Sequence, residues 1–222
     1  MMKVTVVLPA YNEEKLITST LRSVKAAGFA HRILVIDDGS ADRTAELAAS
    51  ESVEVITLHP NRGKGGALNY AATLVDTPVV IFLDADLGDT AGEAALLLEP
   101  IMTGRADLTI ARFPPAIKKG GFGLVKNLAR SAIKRAGGPY MESPLSGQRA
   151  MKIEVMQALM PFASGYGIEM GMTLRALRKG YQVEEVPTRM RNNETGRDLA
   201  GFWHRGKQFM QVARVALKEG SR

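Results

Sequence analysis

The 222-residue chain contains no cysteine, and it has only one tryptophan and five tyrosines. The absence of cysteine excludes disulfide bonds, thiolate metal sites and a cysteine nucleophile. No apolar run approaches the ~20 residues that a membrane-spanning helix needs, and the first apolar run, residues 4–8, is too short for a signal sequence. We therefore expect a soluble cytoplasmic protein with one α/β domain over residues 1–222.

The net charge of +6 is divided unevenly along the chain. Residues 1–110 carry 9 Lys and Arg against 15 Asp and Glu, whereas residues 111–222 carry 20 against 8. A basic half suits nucleic acid, phosphorylated substrates or an anionic membrane surface. Because no helix-turn-helix, zinc-finger or RNA-binding signature is present and few aromatic residues are available for stacking on bases, we expect no nucleic-acid partner. The two halves are predicted to face different ligands.

Short β-branched runs alternate with helical patterns in the first half, which predicts a mostly parallel, Rossmann-like sheet flanked by helices. We predict strands over residues 4–8, 32–36, 53–58 and 79–83, with helices over 14–27, 44–50 and 67–75. The second half is less regular. It is predicted to hold strands over 107–111 and 183–186, helices over 124–136, 153–159, 168–179 and 199–219, and a strand or loop over 144–151.

Polar clusters follow the predicted strands of the first half. They occupy residues 9–13, 37–40, 61–66 and 84–86. Ligands of open α/β sheets bind outside the carboxyl ends of the strands. The four clusters therefore predict one ligand site along one edge of the sheet.

Asp84 and Asp86 stand two residues apart directly after a buried strand. This spacing suits a hard divalent cation, Mg²⁺ or Mn²⁺, that also takes phosphate oxygens and water. The alternative is a strand-end aspartate that caps the next helix. Asp37 and Asp38 are candidates for binding ribose hydroxyls or a base edge, and the alternative for them is a turn shaped by Gly39.

Lys64 lies in a glycine-rich segment, where it could neutralise phosphate charge while the glycines permit close backbone approach. The segment lacks the spacing of a Walker P-loop, and no Gly-x-Gly-x-x-Gly follows the first strand. These two absences disfavour kinase and dinucleotide-binding functions.

Four motifs occur in order: Pro-Ala-Tyr-Asn-Glu (9–13), Asp-Asp-Gly-Ser (37–40), Arg-Gly-Lys-Gly (62–65) and Asp-Ala-Asp (84–86). Together they resemble the signature of family 2 glycosyltransferases of the GT-A fold. The resemblance implies a metal-dependent, inverting hexosyltransferase that uses a UDP- or GDP-sugar and holds Mg²⁺ or Mn²⁺ at Asp84 and Asp86. The nucleotide-sugar site that it implies comprises Pro9, Ala10, Tyr11, Glu13, Asp37, Asp38, Lys64, Asp84, Ala85 and Asp86.

The second half resembles two branches of that family. The Ser-Gly-Gln-Arg-Ala segment (146–150) is similar to polyprenyl-phosphate (dolichyl-phosphate mannose synthase-like) transferases. The Pro-Leu-Ser-Gly segment (144–147) and residues 161–169 are similar to glucosyl- and mannosyl-3-phosphoglycerate synthases. Both branches use a phosphorylated acceptor. The resemblance places this acceptor near Lys118, Lys119, Ser146, Gly147, Gln148 and Arg149.

The sequence departs from both branches near the metal. Gly88 stands where the lipid-phosphate branch usually has glutamine, and residues 190–194 lack the histidine of the phosphoglycerate synthases, so Asn192 is the candidate third ligand. The predicted catalytic residues are Asp86, Arg149 and Glu169. Glu169 would be a general base for a hydroxyl acceptor, whereas a phosphate acceptor needs none. Its alternative is an acid favoured by a helix N-terminus.

Two basic amphipathic helices, 124–136 and 199–219, either pack on the core or contact anionic lipid at the inner membrane face. Two other functions stay open. One is a nucleotidyltransferase, which uses a similar sheet and metal carboxylates, and the other is a non-catalytic nucleotide-sugar-binding protein.

Overall fold

The computed structural model of the protein describes residues 2–114, 123–163 and 167–191. Three predicted ligand residues, Lys118, Lys119 and Asn192, and the predicted helix 199–219 lie outside these ranges.

A seven-stranded sheet forms the centre of the described fold. Its strands are β1 (Val4–Ala10), β2 (Arg32–Asp37), β3 (Glu54–Thr57), β4 (Val79–Phe82), β5 (Leu108–Arg112), β6 (Arg149–Lys152) and β7 (Val183–Pro187). They lie in the order β3-β2-β1-β4-β6-β5-β7. Only β6 runs antiparallel to its neighbours among the described strands. The prediction of a mostly parallel sheet flanked by helices is confirmed.

The helices cover both faces of the sheet. They are α1 (Ile17–Ala26), α2 (Thr44–Ser50), α3 (Gly63–Ala72), a 3₁₀ segment (Gly88–Leu98), α4 (Glu99–Met102), α5 (Gly123–Arg135), α6 (Ile153–Leu159) and α7 (Ile168–Arg178). Successive side chains of a strand point to opposite faces. Val7 of β1 therefore packs in a core with α3, α5, α6 and α7, whereas Val6 and Leu8 pack in a second core with α1 and the 3₁₀ segment.

Four elements differ from the predictions. The 3₁₀ segment and α4 were not predicted, and the strand-or-loop segment 144–151 forms β6 only from Arg149 onward. Helix α3 begins at Gly63 rather than at residue 67, and the Asn61 side-chain oxygen accepts the Gly63 N–H (3.0 Å) at its start. The glycine-rich segment is thus part of a helix, and Lys64 lies in its first turn.

Helix α5 resolves one of the alternatives left by the sequence. Its apolar residues Ala129, Ala132 and Ile133 are buried in the core, while Lys134 and Arg135 are exposed. The apolar side of α5 therefore packs on the protein itself. Contact of its basic side with an anionic membrane surface stays a prediction.

The 3₁₀ segment provides a matched test of core packing. Leu97 is fully buried and Leu96 is 46% exposed. We expect Leu97→Ala to lower the free energy of unfolding by about 2–5 kcal/mol, because it removes buried methyl groups and leaves a cavity. Leu96→Ala should change it by about 0.5 kcal/mol or less. Urea denaturation of both variants measures the difference, and equal effects would contradict this packing.

Candidate active site

The loops that follow β1 and β2 are hydrogen-bonded to each other. The Asn12 N–H donates to Ser40 Oγ (2.9 Å), the Ala41 N–H donates to Asn12 Oδ1 (2.9 Å), and the Glu13 N–H donates to Thr44 Oγ1 (2.7 Å). Asn12 has a φ of 57°, a left-handed conformation that asparagine tolerates better than most residues. These bonds join the clusters 9–13 and 37–40 at one edge of the sheet, as predicted.

Asp37 and Asp38 are both buried at this edge. The Asp37 carboxylate accepts the Ser40 N–H (3.3 Å), and Asp38 Oδ1 accepts the Arg62 N–H (2.8 Å). The Asp38 carbonyl also accepts the Asn61 side-chain amide (2.8 Å). Both carboxylates thus shape the turns around them, which is the alternative that the sequence left open. Their contact with a nucleoside stays a prediction.

The loop after β4 is hydrogen-bonded to a side chain of α1. The buried Thr20 hydroxyl donates to the Ala85 carbonyl (2.8 Å) and accepts the Gly88 N–H (2.8 Å). Gly88 has a φ of 54°, which other residues adopt with strain, so glycine suits this position. Thr20 was not predicted as a site residue. The signal in the sequence is a hydroxyl on the apolar face of α1.

Lys64 lies between two carboxylates from distant parts of the chain. Its Nζ is 2.7 Å from Asp84 Oδ1, at the end of β4, and 2.9 Å from Glu169 Oε1, in the first turn of α7. The three side chains are between 13% and 35% exposed. Burial disfavours the charged ammonium, but the two carboxylates outweigh it and raise the pKa of Lys64 above its ordinary value. Lys64 is therefore protonated, and it links the two halves of the chain.

The segment 146–148 lies against the Lys64–Asp84 ion pair. The Gln148 Nε2 donates to Asp84 Oδ2 (2.8 Å), and the Ser146 hydroxyl donates to Gln148 Oε1 (3.2 Å). A Cβ added at Gly147 would lie 2.7 Å from Lys64 Nζ and 2.9 Å from Asp84 Oδ2. Only glycine therefore fits there without moving the ion pair. Three residues predicted to bind the acceptor, Ser146, Gly147 and Gln148, therefore lie beside Asp84, which is predicted to bind the donor.

Arg149 is fully buried and does not line this centre. Its guanidinium donates to the carbonyls of Ser146 (2.9 Å) and Pro144 (3.3 Å) and to Thr173 Oγ1 (2.8 Å). Burial lowers the pKa of Arg149 to about 10 although the negative charge of Glu169 opposes this, so it stays charged at neutral pH. Because its donors bind the protein interior, this placement argues against the predicted acceptor contact and catalytic role of Arg149. It ties segment 144–148 to α7.

The acidic residues at this edge create an environment that suits a cation. Burial, followed by the negative charges of Asp86, Asp84 and Asp42, raises the pKa of Glu13 to about 7. Such crowding of carboxylates is relieved by a divalent ion that prefers oxygen ligands. No group of three His, Cys, Asp or Glu side chains in the described ranges is arranged as a complete metal site. Asp84 and Asp86 offer the oxygen ligands that such a cation prefers, and cation binding by this pair stays a prediction.

The seven-stranded, mostly parallel sheet with helices on both faces matches the GT-A fold of glycosyltransferases. The model of the family described as Glycosyl transferase family 2 matches residues 5–155. The chain belongs to this family.

Curated relatives are similar over most of the chain. An uncharacterized protein of Methanocaldococcus jannaschii is 30% identical over 83% of this chain and 80% of its own. Glycosyltransferase AglJ of Haloferax volcanii is 30% identical over 83% of this chain and 62% of its own. Glucosyl-3-phosphoglycerate synthase of Mycobacterium tuberculosis is 30% identical over 77% and 60%, respectively. The chain thus spans about three fifths of the two named relatives.

Solved structures of that synthase share the fold. Its complex with Mn²⁺, UDP and phosphoglyceric acid has a TM-score of 0.82 and 25% identity, covering 99% of this chain and 79% of that one. Its complex with Mn²⁺, UDP-glucose and phosphoglyceric acid has a TM-score of 0.81 and 26% identity, covering 98% of this chain and 79% of that one.

The helices in the described ranges include none that is both long and apolar enough to cross a membrane.

Thr20 provides a test of how the Asp84–Asp86 loop is held. Thr20→Val leaves the Ala85 carbonyl and the Gly88 N–H buried and unpaired, so we expect the free energy of unfolding to fall by about 1–3 kcal/mol or more. Thr20→Ser keeps the hydroxyl and should retain most of the stability. Denaturant unfolding of the pair measures this. A serine variant as unstable as the valine variant would assign the loss to packing instead.

Proposed function

We propose that this family 2 glycosyltransferase transfers a hexosyl unit, with inversion, from a UDP- or GDP-sugar to a phosphorylated acceptor. The observation that carries the proposal is the polar centre formed by Lys64, Asp84, Gln148 and Glu169 at the carboxyl edge of the sheet. It joins Lys64 and Asp84, which are implied for the donor, to Glu169, which lies in a segment that the resemblance places near the acceptor. A transferase needs its two substrates at one such point.

The nucleotide-sugar donor would lie along the loops that follow β1 and β2, which are hydrogen-bonded to each other. Tyr11 is 51% exposed at this edge, so its ring is accessible for stacking on a base. Lys64 is the charged group nearest the place where the diphosphate would meet Asp84. A diphosphate would compete with the Asp84 and Glu169 carboxylates for the Lys64 ammonium and would draw it toward the leaving group. The presence of UDP in a solved structure of the mycobacterial synthase supports a nucleoside-diphosphate donor.

The cation would be held by Asp84 and Asp86, the carboxylates whose negative charges act together with burial to raise the pKa of Glu13. A bound Mg²⁺ or Mn²⁺ would neutralise the charge that develops on the diphosphate as the sugar leaves. Asn192, the predicted third ligand, lies outside the described residues and stays part of the proposal.

The acceptor would approach over segment 146–148, with Lys118 and Lys119 as further proposed phosphate contacts. In a single displacement, an acceptor oxygen forms a bond to the anomeric carbon while the bond from that carbon to the donor phosphate breaks. A phosphate oxygen of the acceptor is already anionic near neutral pH and needs no general base. An acceptor hydroxyl, as on 3-phosphoglycerate, would instead pass its proton to a carboxylate, for which Glu169 is the candidate. The Glu169 carboxylate is bound by the Lys64 ammonium, and we propose that Glu169 orients Lys64. Membership of the family disfavours the nucleotidyltransferase alternative.

Transfer assays test the proposed function. UDP-glucose, UDP-galactose and GDP-mannose are each incubated with Mn²⁺ and with either 3-phosphoglycerate or a polyprenyl phosphate, and the products are identified by mass spectrometry. We expect one donor to give a glycosylated, phosphate-containing product, and its anomeric configuration tests inversion. Chelation of the metal should abolish the reaction. Donor binding without transfer to either acceptor would instead indicate a non-catalytic nucleotide-sugar-binding protein.

Lys64 provides the sharpest single-residue test of donor binding. Lys64→Met removes the charge near the diphosphate, so we expect kcat/KM for the donor to fall about 10- to 100-fold, as for loss of a charged hydrogen bond. Lys179→Met, at the exposed end of α7, is the matched control and should leave the donor kinetics unchanged. Equal kinetics for the two variants would remove Lys64 from the donor site.

A further inference from the structure

Gln148 occupies an unusual position for a residue expected to meet a substrate. It immediately precedes β6, and its carbonyl accepts the Ala111 N–H of β5 (2.9 Å), which fixes its backbone in the sheet. The residue is fully buried. Its side chain therefore acts within the protein, and the relevant question is which groups its amide binds.

The two ends of the amide have different partners. The nitrogen donates to Asp84 Oδ2 (2.8 Å), and the oxygen accepts the Ser146 hydroxyl (3.2 Å). An ionised carboxylate can only accept hydrogen bonds, so the amide nitrogen has to face Asp84. The Ser146 hydroxyl, in turn, fixes the amide from its other end. This chain of two hydrogen bonds runs from segment 146–148 to the end of β4.

The two carboxylate oxygens of Asp84 are held by groups of different character. Oδ1 is bound by the Lys64 ammonium, which is partly exposed and charged, and Oδ2 is bound by the buried, neutral Gln148 amide. An ammonium neutralises a carboxylate and can be drawn away by a competing anion such as a diphosphate. An amide orients the carboxylate and leaves its full negative charge available to a cation.

We propose that Gln148 is a positioning residue of the donor site, which fixes the orientation of the Asp84 carboxylate when Lys64 turns to the diphosphate. The inference rests on the proposed function and replaces the acceptor contact expected for Gln148 from the sequence. It makes segment 146–148 part of the support for the cation and the diphosphate. Gly147 is consistent with this, because a Cβ there would displace the Asp84 carboxylate and the Lys64 ammonium from their present positions.

Two substitutions remove the bond to Asp84 in different ways. Gln148→Met keeps the length and volume of the side chain but has no N–H group, and Gln148→Asn keeps the amide but is one methylene too short to retain the same contact. Gln157→Met, on the exposed face of α6, is the matched control for the glutamine-to-methionine exchange. Thermal unfolding identifies the variants that are folded, and Gln148→Asn carries the test if Gln148→Met does not fold.

The primary measurement is Mn²⁺ binding in the presence of UDP, followed by electron paramagnetic resonance. We expect both Gln148 variants to bind Mn²⁺ about 10- to 100-fold more weakly than the wild type, as is usual when a group that orients a metal ligand is lost. Gln157→Met should bind it as the wild type does. In steady-state kinetics, kcat/KM for the donor should fall in both Gln148 variants while KM for the acceptor stays unchanged.

The outcomes separate this inference from the proposed function. If the wild type binds Mn²⁺ and UDP but the Gln148 variants bind them equally well, Gln148 is not a positioning residue. A raised KM for the acceptor with unchanged Mn²⁺ binding would restore the acceptor contact in its place. Failure of the wild type to bind any nucleotide with Mn²⁺ would overturn the proposed function and this inference together.

Discussion

The charge on Asp84 is the constraint on which the rest of the site depends. β4 is buried on both faces, and Asp84 follows its carboxyl end in a partly buried position. An uncompensated negative charge is unfavourable there. Lys64 from α3 compensates this charge, Gln148 from the segment before β6 donates a hydrogen bond to the carboxylate, and Glu169 from α7 holds Lys64 in turn. Satisfying one carboxylate thus brings together four elements from both halves of the chain.

The surrounding loops are fixed mainly by short hydrogen bonds between backbone and small polar side chains. Asn12, Ser40 and Thr44 join the loops after β1 and β2, and Thr20 supports the loop after β4. Such supports lose little conformational entropy, because the side chains are short and have few rotatable bonds. The site is therefore preorganised on rigid elements, which suits a transferase that must hold a flexible diphosphate and a second substrate in line.

Motif resemblance and geometry differ most clearly around Arg149. The Ser-Gly-Gln-Arg segment implied an arginine at the acceptor phosphate, whereas the guanidinium is buried and binds Ser146, Pro144 and Thr173. The same segment does reach the centre, but through Gly147 and Gln148. The motif thus marked a segment that reaches the polar centre, but it did not indicate which side chains point toward that centre. Side-chain direction in a segment that enters a strand depends on the register of that strand, and here β6 pairs antiparallel with both β4 and β5.

The sequence by itself determined the α/β class, the parallel strands of the first half and the clustering of polar residues at their carboxyl ends. It could do so because hydrophobic periodicity is local and parallel strands share one functional edge. Only the tertiary structure decided that Lys64 pairs with Glu169, 105 residues away, and that Gln148 binds Asp84, 64 residues away. It also decided that the glycine-rich segment starts a helix and that Arg149 is buried. These features depend on long-range packing and on the pairing of buried charges, neither of which leaves a periodic signal in the chain.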